Sequence, residues 1–300
     1  MEEPAVAATI PRDGETAGAS AGSIGSSDVS GRRRARIPRK LLSRTWQLTR
    51  AGLGFAYFGV GGWLACLVVL PLLRAYAWVL GLSREALSLR TQRLVHHGAR
   101  SFIGCATTLL RPIGVRWVGE EALSRGPVLV VANHPSLIDT PLLASKMPQA
   151  DFIVSPDWLR IGWLRRTIEA ADYLHADRGA DVVGEAAKRL RGGRSVVVYP
   201  EGSRSPPEGL RRFQRGAAHI ALEAGCDLLP VTLRVTPRAL MKGERWIDFP
   251  REKPVWHIEV GQPIHPDDHL DGSEPRSLAA RRLTRILEAD FQRRWDRGSS

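Results

Sequence analysis

The sequence predicts an α/β fold: a mixed, mainly parallel sheet flanked by helices, preceded by an N-terminal hydrophobic helical segment of membrane-anchoring character. Three observations predict it. Short apolar, β-branched runs such as Val128–Ala132, Ser195–Tyr199 and Leu229–Val235 alternate with longer helix-like stretches, the pattern of β-α-β units. Two of these runs end abruptly in polar, chemistry-bearing residues, as strands do at the carboxyl edge of an open sheet. The 23 residues Ala51–Leu73 carry no charge at all, enough helix to cross a hydrocarbon layer of about 30 Å.

In chain order, residues 1–31 are rich in Ala, Gly, Ser and Thr without apolar periodicity and read as a disordered tail. They lack the apolar core of a secretory signal. Residues 32–85 read as a basic juxtamembrane stretch and membrane segment. Eight Lys or Arg and no acid lie between Arg32 and Arg50, before the uncharged run. Arg74, Arg84, Arg90 and Arg93 make the other flank basic too. Cations on both flanks suit a re-entrant or two-helix element with both ends cytoplasmic, a single crossing being the alternative. Gly59, Gly61, Gly62 and Pro71 are places where the segment can break. Residues 86–300 read as the folded domain.

Within it, residues 86–111 suit an amphipathic helix leading out of the membrane. Strands are expected at Val115–Val118, Val128–Ala132, Phe152–Val154, Ser195–Tyr199, Leu229–Val235 and His257–Val260. Helices are expected at Thr140–Lys146, Trp158–Glu169, Val182–Arg191, Gly216–Glu223 and Leu278–Trp295. Pro230 cannot donate to a ladder, which suggests an edge or an irregularity in its strand.

The balance of 43 Lys+Arg against 31 Asp+Glu, net +12, points to an anionic partner. The cation-rich stretch adjoins the apolar segment, and no helix-turn-helix, zinc-finger or RNA-binding aromatic motif is apparent. A membrane lipid is therefore favoured over nucleic acid as partner. Cys66, Cys105 and Cys226 are too far apart for a disulfide framework or metal cluster, and no metal site is expected.

Chemistry concentrates after two strands. Asn133-His134-Pro135-Ser136-Leu137-Ile138-Asp139 follows the first. Pro135 disfavours helical geometry at His134 and suits a first helical turn. His134 then lies outside the helix with Asp139 in its first turns, free to turn back toward the carboxylate. A His held by Asp takes a proton from a hydroxyl with its other nitrogen. The same residues also fit a plain helix start, with Asn133 or His134 as cap and Asp139 at the dipole. Glu201-Gly202-Ser203-Arg204-Ser205 follows the second strand. Glycine allows close backbone approach to an anion and Arg204 offers a fork matching phosphate, while Glu201 orients that fork or holds a hydroxyl. In parallel strands both blocks open onto one cleft. Ser136 lacks the surroundings of a nucleophile elbow.

In these blocks the sequence resembles the glycerolipid acyltransferases typified by 1-acyl-sn-glycerol-3-phosphate (PlsC-type) acyltransferase, over roughly residues 110–265. The matching blocks, in order, are Asn133–Asp139, the Arg178 block, Glu201–Ser205 and Leu229-Pro230-Val231. The resemblance implies His134 as general base oriented by Asp139. It implies Arg178, Glu201, Gly202, Ser203 and Arg204 as binders of a glycerol-phosphate acceptor, and Pro230 as shaping the acyl-donor site. It implies an O-acyltransferase of phospholipid biosynthesis, with no cofactor or metal, that takes an acyl-CoA or acyl-carrier protein as co-substrate and a lysophosphatidate-like acceptor. Ser203 stands where threonine is commoner, and His175-Ala176-Asp177 precede Arg178 where apolar residues are usual. The alternative from another class is a non-catalytic, membrane-tethered phospholipid-binding protein. It would need the arginines but not the pairing of His134 with Asp139.

Overall fold

The structure is a computed structural model that describes residues 39–206, 209–270 and 273–297. The expected N-terminal tail lies outside the described residues. Seven strands form one sheet: β1 (Gly114–Val118), β2 (Leu129–Ala132), β3 (Ala150–Val154), β4 (Leu174–His175), β5 (Ser195–Val198), β6 (Leu228–Thr236) and β7 (Val255–Val260), in the spatial order β1-β7-β6-β2-β5-β3-β4. Strands β6, β2, β5, β3 and β4 are mutually parallel. β7 runs antiparallel to β6, and β1 runs parallel to β7, so the sheet is mixed and mainly parallel.

The helices are α1 (Arg39–Leu64), α2 (Leu70–Val79), α3 (Arg84–Gly104), α4 (Asp139–Ala144), α5 (Gly162–Ala171), α6 (Ala180–Arg191), α7 (Gly216–Ala224) and α8 (Arg276–Arg297). Alternation along the strands divides the core between the two faces. Val130, Ala132, Leu229 and Val231 pack with Ala51 of α1, Phe102 of α3, Leu142 of α4 and Ile168 of α5. Leu129, Val131, Val196 and Leu228 pack with Ala186 of α6, Ile220 of α7 and Leu283 of α8. Strands buried on both faces are why these runs read as continuously apolar.

Three elements differ from expectation. β4 has two residues, too few to show any period. Trp158–Glu169 is not one helix: a 3-10 turn, Pro156–Arg160, precedes α5, separated by extended Ile161. Pro230 does not mark an edge, since β6 is flanked by β2 and β7. Its carbonyl accepts from Gly261 at 2.8 Å, one residue beyond β7. Its missing N–H faces the same side, at an irregularity: past β7 the pairing resumes with Leu228 opposite Ile264, one residue out of step, and needs no donor from residue 230.

The apolar segment is not broken by its glycines or by Pro71. α1 continues into α2 through a wide turn, Ala65–Val69, in which the Leu70 N–H bonds to the Ala65 carbonyl. Such a turn absorbs the missing donor of the adjacent proline. Ser43–Val79 is a single helix long and apolar enough to cross a membrane, with mean hydropathy 2.0 over its most apolar window. One face is bound to the protein: Gln47 donates to the Pro112 carbonyl at 2.9 Å, Phe58 packs on Phe102 and Trp163, and Trp163 covers Gly62. The other leaves Val60, Leu64, Leu67, Leu72 and Trp78 exposed. After Gly81, in the left-handed region, α3 returns alongside. Tyr57 meets Ser101 at 2.7 Å, and the start of α1 thus lies beside the start of β1. Residues from Pro38 onward form one unit, and the expected boundary near residue 85 falls in the first turn of α3.

Candidate active site

β2 and β5 are adjacent and parallel, with Val131 opposite Val198. Both chemistry-bearing loops therefore leave the same edge of the sheet. Asn133 ties the first loop to β6: its side chain donates to the Leu233 carbonyl at 2.9 Å and accepts from the Leu233 N–H at 2.7 Å, extending the ladder by one side-chain amide.

α4 begins at Asp139, leaving His134 outside it. His134 Nδ1 lies 2.9 Å from Asp139 Oδ2, with the carboxylate fully buried and the imidazole 13% exposed. An acceptor-only carboxylate assigns the proton to Nδ1, leaving Nε2 as the basic nitrogen, without a hydrogen-bond partner among the described residues. Asp139 is itself held. Oδ2 also accepts from the Ser136 N–H at 2.6 Å and Oδ1 accepts from the Ser136 hydroxyl at 2.5 Å. Ser136 in turn accepts from Trp256 Nε1 at 2.9 Å. A chain Trp256–Ser136–Asp139–His134 thus runs from β7 to the loop after β2. Tyr199 stacks on the imidazole at 4.4 Å between ring centres, and its hydroxyl meets Thr140 at 3.0 Å. Burial pushes the Tyr199 phenol far above its usual range, so it stays neutral and fixes the ring by shape.

The second loop is locked to the first. Glu201 is buried. Its Oε1 accepts from the His134 N–H at 3.1 Å and from the Ser205 hydroxyl, and its Oε2 accepts from the Arg211 N–H at 2.9 Å. The Ser205 N–H closes the junction on the His134 carbonyl at 2.7 Å. Here Glu201 joins loops and does not orient Arg204: both its oxygens are engaged inside the protein. Gly202 has φ +66°, and a β-carbon there would run into the Gln214 amide, so this position needs glycine for both reasons. Arg204 Nη1 donates to the carbonyls of Leu240 and Met241 at 3.3 and 3.1 Å. Its other N–H groups have no partner among the described residues. Lys242, on the segment so held, donates to the Ser203 hydroxyl at 2.9 Å, placing a second cation at the mouth.

Arg178 ends a 3-10 turn after β4, on the same sheet edge; its side chain lies outside the described residues. β3 separates β4 from β5, so the turn stands roughly 10 Å from the end of β5 at two strand spacings. Pro230 is opposite Val131 within the sheet and buried, behind the cleft and not at its mouth. Sequence reasoning missed Trp256, Tyr199, Lys242 and Arg211. An indole 120 positions after the histidine loop that it supports has no local signal. The aromatic directly before Pro200-Glu201 was the one available hint.

Residues 114–234 match the family model described as Acyltransferase. That span holds all four motif blocks. The chain is 36% identical over 129 residues to the lyso-ornithine lipid O-acyltransferase of Pseudomonas aeruginosa, covering 41% of this chain and 48% of that protein. A 1-acyl-sn-glycerol-3-phosphate acyltransferase of Saccharomyces cerevisiae is 26% identical over 156 residues, 49% of this chain and 48% of its own length. The chain spans about half the length of these curated relatives. Among solved structures, the 1-acyl-sn-glycerophosphate acyltransferase PlsC of Thermotoga maritima shares the fold, with a TM-score of 0.57 and 21% identity over 85% of this chain and 96% of that one. Trp256, α1 and α8 lie outside the family-matched span and pack against it.

Proposed function

We propose that this chain is a membrane-associated O-acyltransferase that moves an acyl chain from a thioester, acyl-CoA or acyl-carrier protein, to the hydroxyl of a lysophosphatidate-like acceptor. The observation that carries the reading is the buried Asp139 aligned on His134, beside the Arg204 and Lys242 cations at one sheet edge. His134 Nε2 takes the proton of the acceptor hydroxyl as its oxygen attacks the thioester carbonyl. The carbon–sulfur bond breaks as the ester forms, and the imidazolium returns the proton to the leaving thiolate. Asp139 holds the Nδ1–H tautomer and stabilises the imidazolium. The step as written needs no redox or metal partner. The test is purified protein with a panel of lysolipids and both donor classes, products read by mass. Transfer to an anionic lysolipid is expected, and absence of any acylated product would overturn the reading.

Arg204→Ala should raise the KM for an anionic acceptor by about 10–100-fold, the worth of a lost charge-assisted hydrogen bond, with a smaller change in kcat. Initial rates against acceptor concentration check this. An unchanged KM places the anion elsewhere. Arg178 is proposed to approach the same headgroup from β4, Gly202 and Ser203 to line the anion site, Glu201 to hold its loop, and Pro230 to back the donor side of the sheet.

The catalytic domain is proposed to face the cytoplasm, where thioester donors are made. Gln47 and Pro112 are in contact, so the segment's start and the domain's start lie at one end of the helix pair, and both flanks are basic. Tags before Arg32 and after Ser300 should label on the same side; opposite-side labelling would replace this with a single crossing.

A further inference from the structure

Where α1 begins, it meets two loops of the α/β domain in a surface both cationic and apolar. Arg50 Nε donates to the Leu110 carbonyl, next to Arg111, and its guanidinium lies 6.0 Å from the Trp46 ring centre. The Gly114 N–H bonds to the Pro254 carbonyl at 2.8 Å, which brings the stretch after Arg111 alongside Lys253. Lys253 Cε lies 3.5 Å from where a Gly114 β-carbon would be. None of Arg50, Arg111 and Lys253 has an ion-pair partner among the described residues. Partial burial, then Arg111 and Arg50, push the Lys253 ammonium below its usual value. Of the acids on the neighbouring loop, Asp248 is paired with Arg245 at 3.4 Å, and Glu252 is exposed to water. Uncompensated, crowded cations of this kind favour an anion beside them.

Exposed apolar groups share the surface. Leu109 is 76% exposed, Trp46 64% and Trp246 50%, although the Trp246 ring already rests on Gly52. The patch runs without interruption into the exposed apolar face of α1 and α2, through Leu53, Tyr57 and Val60. Indoles and cations next to an exposed apolar helix face match the headgroup level of a bilayer.

We propose that Arg50, Arg111 and Lys253, with Trp46, Leu109 and Trp246, form a docking surface by which the α/β domain itself seats on an anionic bilayer. The continuity with the apolar helix face singles out a lipid surface over an acidic protein. The α/β domain, already packed on α1, then meets the headgroups with its own loops as well, through Leu109, Arg111, Trp246 and Lys253. The proposal rests on the membrane association of the preceding reading, not on its chemistry.

The test places an environment-sensitive fluorophore on Leu109→Cys in the full chain, with Cys66, Cys105 and Cys226 replaced by Ala. The protein is reconstituted in phosphatidylcholine vesicles with and without phosphatidylglycerol. No acyl donor or acceptor is present, so the outcome does not depend on acyl transfer. The label should enter an apolar environment in anionic vesicles, and less so in neutral ones. Arg111→Gln and Lys253→Gln should each lower the docked fraction relative to the undocked one about fivefold, with a similar loss at high salt. A control label at Val118→Cys, also exposed but on β1, should stay aqueous throughout. A Leu109 label that stays aqueous in anionic vesicles, or is indifferent to both substitutions, overturns the proposal. So does protection of the label by apo acyl-carrier protein in detergent but not by lipid.

Discussion

His134→Ala is expected to abolish acyl transfer while leaving the fold intact, with kcat/KM down by about 10²–10⁴-fold, the usual cost of a lost general base. The fold should survive because the imidazole is not a core group. Its structural bonds are made by its backbone, whose N–H reaches Glu201 and whose carbonyl accepts from Ser205, and alanine keeps both. Its stacking on Tyr199 is lost, leaving a gap at the cleft and not in the sheet. Steady-state rates beside near-ultraviolet circular dichroism check both halves. Wild-type transfer by a folded His134→Ala protein would sink the mechanism.

The second large effect is expected from Asp139→Asn, a change of nearly equal size. Asp139 accepts at both oxygens: Oδ2 from His134 Nδ1 and the Ser136 N–H, Oδ1 from the Ser136 hydroxyl. An amide must put its NH₂ against one of these donors. At Oδ2 it faces two N–H groups. At Oδ1 it faces a hydroxyl whose oxygen already accepts from Trp256, and which loses its buried acceptor if it turns. Either arrangement strands a donor at about 1–3 kcal/mol. Asn also removes the charge that steadies the imidazolium, so kcat should fall by about 10²-fold or more with little change in acceptor KM. A thermal melt and a kcat–KM pair test this. A variant with unchanged kcat would mean that the two side chains do not act together.

Much of this site was legible because its information is local. Pro135 keeps His134 out of the helix that Asp139 starts, and the five-residue spacing lets the two side chains meet. Glu201 shows the limit. As a residue type beside Arg204 it suggested an ion pair or a ligand to substrate. In the fold it bonds instead to backbone and hydroxyl groups, because the parallel pairing of β2 with β5 brings the His134 N–H closer to it than the guanidinium. Pro230 shows the same limit: the rule that proline marks an edge is about an unpaired donor, and only the position where β7 ends makes that donor harmless in the third strand from the edge.

By itself, the sequence determined what its periods and local sterics can carry: the mixed, mainly parallel α/β class, the long apolar helix, the His134–Asp139 pairing and the shared sheet edge of the two motif loops. Tertiary structure decided what depends on distant segments meeting. It placed Trp256 behind Ser136, Lys242 beside Ser203, α3 back along α1, and Gly114 against Pro254. Those contacts join residues up to 140 positions apart. Strand order and helix packing set them, and neither leaves a repeating mark in the chain.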